Sequence, residues 1–270
     1  MNLPAGPWAY AILLATLAFL PTSVSAGISP PEVKQFESYK ALALKGDPVA
    51  QNNLGVCYER GEGVEQDLFQ AGLWFRKAAE QGLPASQCNM GNLYYTGQGV
   101  KKDFGLAFNW YRKAAEGGDA VAQFNLGNAY DRGEGVEKDR VQSTSWYRKA
   151  AVQGFAKAQH SLGFSYVIGS GVPVDIVQAM SWFLKASDQG FTPSQFNVGV
   201  CYDRGEGVPK DEIEVYAYLN LAGATEENAR VYLANLEKKL SPDARLLGQK
   251  RTKELQKEIE AKIAAKQAGK

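Results

Sequence analysis

The chain has 270 residues, of which 45% are hydrophobic and 22% charged, well inside the globular range. Its net charge of +1 supplies none of the basic surplus that phosphate recognition needs, so nucleic acid is not an expected partner. A single His and three Cys leave too few ligands for a Cys/His metal site, and no stretch carries a cofactor signature.

The first charged side chain is Glu32. Before it, Trp8 to Leu20 is an almost unbroken apolar run, and Val24 and Ala26 fit the cleavage rule of a secretory signal. Residues 1–26 are therefore expected to be a leader cut after Ala26, giving an exported chain in the periplasm or outside the cell with no membrane span after cleavage. The run falls short of the roughly 20 apolar residues that span a bilayer. No Lys or Arg precedes it, so an uncleaved anchor stays open. Residues 27–45 open with Pro30-Pro31 and continue as FESYKALALKG, an amphipathic helix suited to cap an array.

From Gly46 a stretch of 36 residues is written five times without insertion or deletion, over 46–81, 82–117, 118–153, 154–189 and 190–225. A fixed period of this length marks stacked helical units and a binding scaffold rather than an enzyme. In the first copy one helix is predicted over about Pro48 to Arg60, with Pro near its start. Small residues (Ala50 and its counterparts), aliphatic ones (Leu54, Met90, Leu126, Leu162, Val198) and Tyr58, Tyr94, Tyr130, Tyr166 and Tyr202 recur four residues apart, which puts them on one buried face. Gly55 and its counterparts beside that face point to close helix approach. The recurring Gly61-Glu-Gly63-Val64 is a turn, since no strand precedes it and no third glycine follows, as a phosphate loop would need. Asp67, Asp103, Asp139, Asp175 and Asp211 then stand at the start of a second helix as N-cap or first-turn acids. Trp74, Trp110, Trp146 and Trp182 are predicted to pack between repeats, and the closing RKAA puts cations at the helix end.

The fifth copy departs in its second half. Glu226 to Lys239 reads as a helix that closes the array, and Ser241-Pro242 as the cap of a last helix running to about Ala264. Residues 226–270 thus form a C-terminal cap and a charged tail. Leu247, Leu255, Ile259 and Ile263 make a thin apolar stripe on that tail, which reads as a solvated helix packing one edge. Cys57 and Cys201 occupy a repeat position that elsewhere holds Leu93, Ala129 and Ser165, as buried free thiols would. A Cys57–Cys88 disulfide joining neighbouring repeats is the alternative, against which stands their different height on adjacent helices.

A-x-Q-x-N-L-G-x-x-Y, then G-x-G-V-x-x-D, then A-x-x-W-x-x-K-A-A resemble the Sel1-like repeat, a relative of the tetratricopeptide repeat, from Gly46 to about Ala224. The resemblance implies an all-α, right-handed α/α superhelical solenoid with helical caps, used as an adaptor for protein–protein contacts. It also brings two rival readings. Some exported cysteine-rich members bind or hydrolyse β-lactams, but their disulfide in each repeat is missing here. A regulator binding the outer domain of a membrane sensor is the other.

In such an array the first helices line the concave face. The groove is expected at positions that neither pack nor turn, four and seven residues apart: Asn52, Val56 and Glu59; Cys88, Asn92 and Tyr95; Phe124, Asn128 and Asp131; His160, Phe164 and Val167; Phe196, Val200 and Asp203. Exposed aromatics, amides and acids in one stripe suit a protein or peptide partner, with Phe124, Phe164 and Phe196 as anchors. These phenylalanines could equally fill space between neighbouring first helices. A monomer is expected. No Ser or Cys stands at a recognisable spacing from His160, and neither S-x-x-K, K-T-G nor G-x-S-x-G occurs, so the chain is not expected to be an enzyme.

Overall fold

A computed structural model describes residues 29–269; the expected leader and its cleavage point lie outside the described residues. Those residues form helices and no strand. A first row consists of α2 (Pro48–Arg60), α4 (Pro84–Thr96), α6 (Ala120–Arg132), α8 (Ala156–Ile168) and α10 (Thr192–Arg204). A second row consists of α3 (Leu68–Glu80), α5 (Phe104–Glu116), α7 (Arg140–Val152), α9 (Ile176–Ser187) and α11 (Glu212–Ala222). Each helix packs on its neighbours in sequence, which is the arrangement of an α/α solenoid.

The recurring residues explain the recurring geometry. Every second helix starts at its aspartate, whose carboxylate accepts from a first-turn N–H, as Asp67 does from Gln70 N at 2.9 Å. First helices end on a left-handed glycine such as Gly61, φ 74°. The second glycine of each loop is there for space as well as φ. A Cβ on Gly135 would lie 2.1 Å from the Phe104 carbonyl oxygen at the start of the preceding second helix.

The four tryptophans pack between repeats as expected, but only Trp182 is buried; Trp74, Trp110 and Trp146 are half-buried, and each of the four has a lysine over its ring, such as Lys149 at 3.6 Å from the Trp146 centroid. The residue after each of these tryptophans, and after Tyr218 in the fifth copy, carries the centre of the core. Phe75, Tyr111, Tyr147, Phe183 and Leu219 are buried against the helical glycines Gly55, Gly91, Gly127, Gly163 and Gly199. A Cβ on Gly127 would approach the Tyr147 ring to 2.6 Å, so glycine lets the two helices of one repeat close up. The tryptophans pack against the cluster on the preceding side, as Trp110 does against Phe75 and Met90.

Neighbouring repeats are joined by a buried glutamine. Gln51, Gln87, Gln123 and Gln159 donate from Nε2 to the carbonyls of Ala43, Ala79, Ala115 and Ala151, at 3.2, 3.2, 3.2 and 3.1 Å. These carbonyls lie at the end of the preceding helix and also accept from the turn N–H groups of Gly46, Gly82, Gly118 and Gly154, so the glutamine fills the second lone pair. Gln81, Gln153 and Gln189 donate in turn to the Oε1 atoms of Gln51, Gln123 and Gln159 at 2.7, 2.8 and 2.7 Å. One amide thus ties three helix ends.

Both ends of the array continue its register. α1 (Pro30–Ala43) begins at Pro30 itself, earlier than the predicted segment, behind a Ser29–Glu32 capping box. It stands where a second helix would: Ala43 accepts from Gln51, and Gly63 meets the Glu32 carbonyl as Gly99 meets that of Leu68. α12 (Glu227–Glu237) follows α11 as a first helix would. α13 (Pro242–Ala268) doubles back and packs one edge on α11. Leu255 and Ile259 are buried on it and Leu247 is exposed, so the packed face runs through Gly248 and Thr252 instead. Arg251 pairs with Glu214 at 2.7 Å and Lys262 with Asp188 at 2.7 Å.

Gly127→Ala is expected to destabilise the chain by about 1–3 kcal/mol, because the added methyl meets an aromatic ring in a filled core. A denaturation midpoint equal to the parent's would show that the closeness at this crossing is not structural.

Candidate binding face

The three expected columns on the first helices have different surroundings. The column of Asn52, Cys88, Phe124, His160 and Phe196 faces the next repeat. Asn52 Oδ1 accepts from Ser86 Oγ at 2.8 Å and Asn89 Nδ2 at 3.1 Å. His160 Nδ1 pairs with Ser194 Oγ at 2.9 Å, with the rings of Phe183 and Phe191 against its imidazole. Where the next repeat offers Ala122 or Ala158 in place of that serine, this column is apolar, Cys88 or Phe124. Cys88 is 4% exposed among Ala122, Leu126 and Tyr111, so it offers a partner no surface; the small thiol lets the next repeat cover it. Phe124 is half-buried against Phe155 and Tyr147, at centroid distances of 5.4 and 5.7 Å. Of the three expected anchors, Phe124 therefore fills space between neighbouring first helices, and Phe196 lies beside Tyr232 of α12.

The second column answers the core of its own repeat. Tyr111 and Tyr147 donate their hydroxyls to Asn92 Oδ1 at 2.9 Å and Asn128 Oδ1 at 2.7 Å. Opposite Phe75, Phe183 and Leu219 the same column holds Val56, Phe164 and Val200. A buried hydroxyl needs an acceptor and a phenyl ring does not, so the two positions vary together. Phe164 stands out, at 50% exposed.

The third column is Glu59, Tyr95, Asp131, Val167 and Asp203. Glu59 is half-buried, and desolvation raises its carboxyl pKa while Arg60 pulls the other way. The Tyr95 hydroxyl accepts from Arg132 at 3.2 Å, and Asp203 accepts from Tyr232. Val167 packs into the core cluster around Phe183.

Three hollows open between successive first-row helices. One of about 260 Å³ lies between α4 and α6, lined by Asn92, Tyr95, Tyr111, Asn125 and Asn128. One of about 350 Å³ lies between α6 and α8, with Asn128, Asp131, Tyr147, His160 and Phe164 in its wall. The largest, about 470 Å³, lies between α10 and α12, with Phe196, Asp203, Tyr232 and Leu236. The expected residues that line these hollows thus come from the second to the fifth repeats. Asn52, Val56, Glu59, Cys88, Phe124, Val167 and Val200 line none of these hollows. α12 was read only as a closing element, yet it supplies much of the largest hollow; the cue was its place one period after α10.

No group of side chains among the described residues is arranged to hold a metal ion. No described helix is long and apolar enough to cross a membrane. Burial holds the His160 imidazole below the usual histidine range, so near neutral pH it is uncharged. The disulfide alternative is overturned: Cys57, Cys88 and Cys201 are all free and buried. Burial pushes all three thiols up, Cys201 to about 11, the opposite of what a nucleophile requires. Under native conditions a thiol reagent is expected to leave the three cysteines unmodified, and in denaturant without reductant all three should react. A single reactive thiol in denaturant would mean that two are bridged.

The Sel1 repeat family model matches residues 48–83, 84–119, 120–155, 156–191 and 192–224, well over half of the chain. The chain is similar to a solved Sel1 repeat protein from Oxalobacter formigenes, at 29% identity and a TM-score of 0.69, over 82% of this chain and 96% of that one. It is similar to a protective antigen present in uropathogenic Escherichia coli strains and displaying an SLR fold, at 29% identity and a TM-score of 0.59, over 88% of this chain and 60% of the antigen. A Sel1 repeat protein from Klebsiella pneumoniae, at 21% identity and a TM-score of 0.50 over 75% of this chain and 99% of its own, shares the fold. No curated protein matches the chain.

Proposed function

The chain belongs to the Sel1 repeat family, and on that premise we propose that it is a non-catalytic scaffold of the cell envelope that binds a protein or peptide along its first-row helices. Sel1 repeat proteins generally mediate protein–protein interaction. The observation that carries the reading here is Phe164. A half-exposed phenylalanine beside a hollow of about 350 Å³ is the kind of surface on which binding energy concentrates. The second-row face has apolar side chains too, Phe69, Val141 and Val177 among them, but none of these three hollows reaches them.

Export rests on the apolar run from Trp8 to Leu20 and the small residues before Gly27. Action as a monomer rests on the two ends, where α1 packs on the first repeat and α12 and α13 pack on the last second-row helix as caps would.

The partner is to be identified by crosslinking and pull-down from the envelope fraction with the full chain. Phe164→Ala is then expected to weaken its binding by about 1–2 kcal/mol, roughly tenfold, with an unchanged melting temperature. Val177→Ala, on the opposite row, should leave binding as it is. Equal binding by the parent and Phe164→Ala would dismiss the first-row face.

A further inference from the structure

The glutamine joint between repeats is left incomplete at its last copy. Gln51, Gln123 and Gln159 each accept at Oε1 from a second glutamine, Gln81, Gln153 or Gln189, at 2.7, 2.8 and 2.7 Å. Gln195 is the fifth member of the set, and Thr225 takes the place of its second glutamine, one period after Gln189. Thr225 turns to Thr192 at 2.9 Å, and Gln195 is 4% exposed, with its Oε1 buried and unpartnered among the described residues. The second repeat has Gly117 at the same place, yet Gln87 Oε1 is not left buried without a partner there. The fifth joint differs in having α13 beside it.

Between that joint and α13 lies a hollow of about 250 Å³. Thr192 and Gln195 line it from α10, Leu221 from α11, and Ile259, Glu260 and Ile263 from α13. No Lys or Arg is in its wall, and the exposed Glu260 accepts from Gln256 Nε2 at 2.9 Å. Thr192 Oγ1 accepts from Thr225, which leaves its own proton to donate. The wall thus holds an oxygen that lacks a donor and a hydroxyl that lacks an acceptor, with Leu221, Ile259 and Ile263 as aliphatic surround. Such a volume takes several waters, at about 30 Å³ each, or one group the size of a side chain.

We infer that this hollow binds a primary carboxamide, with an N–H for Gln195 Oε1 and a carbonyl for the Thr192 hydroxyl. It is the group that meets the equivalent oxygen in the first, third and fourth repeats. A carboxylate would bring Gln195 no donor and would stand against Glu260. An ammonium would find Gln195 and Glu260 but would offer Thr192 no acceptor. The carboxamide belongs either to a glutamine side chain of a partner or to a free solute. No part of the inference depends on Phe164 or on the first-row hollows.

The test is an NMR titration of the full chain with three probes: acetyl-glutamine methylamide, its counterpart with a γ-methyl ester, and Nα-acetyl-lysine methylamide. The ester keeps the shape of the glutamine side chain and loses its N–H donors. The glutamine probe is expected to move the resonances of Gln195, Ile259 and Ile263 saturably, and the other two to move them at least about tenfold more weakly. Thr225→Gln supplies the missing glutamine from the chain itself, so it should remove the response at a melting temperature no lower than the parent's. Free glutamine then tells the source: a stronger response than to the blocked probe marks a solute, and a weaker one a partner's side chain. Four results would overturn the inference. They are equal responses to the glutamine probe and its ester, an equal or stronger response to the lysine probe, no movement at these residues (a hollow that holds water only), and an unchanged response or a lower melting temperature in Thr225→Gln.

Discussion

Four of the five first helices hang from the helix before them by one buried amide. The Gln51, Gln87, Gln123 and Gln159 side chains add a second donor to the last carbonyls of the preceding helices, and three helix ends meet at that point wherever a second glutamine follows at the end of the same repeat. Net of the water it displaces, such a bond contributes about 1 kcal/mol, but leaving its buried partners unpaired costs more, so the geometry is held firmly. Repetition of that joint is what lines up equivalent residues of successive repeats into columns. At the fifth repeat the ladder stops. Thr225 stands in place of the glutamine and turns to Thr192, and Gln195 Oε1 is buried without a partner among the described residues. There the chain abandons the repeat, and α13 returns across the array.

Given those columns, differences between copies are of two kinds. Asn52 with Ser86 and His160 with Ser194 vary as pairs across a junction; Asn92 with Tyr111 and Asn128 with Tyr147 vary as pairs within a repeat. Such variation is packing, although to the eye it looks like adaptation to a ligand. Subtracting it leaves the acids of the third column and the exposed Phe164. The proposed binding surface is therefore narrower than a full stripe along every repeat.

Much of the fold was legible because identities recur. The period, the turn glycines, the aspartate caps and the Leu54 column each announce their role by repetition. What was not legible depends on which residue faces which across helices. Phe75 and Tyr111 carry the core, yet the larger and more nearly constant tryptophans before them attract the assignment. Cys88 looks like a groove residue by spacing and is covered by the next repeat. The weak stripe of α13 announces one packed edge but not the helix it packs on; ion pairs such as Arg251–Glu214 and the burial of Leu255 decide that.

The claim that the partner lies along the first row is tested most directly by site-specific photocrosslinking. A photoreactive amino acid is placed in turn at position 164, on the first row, and at position 177, exposed on the second. The account predicts partner adducts from position 164 and none from position 177. Adducts from 177 alone, or in equal yield from both, would contradict it.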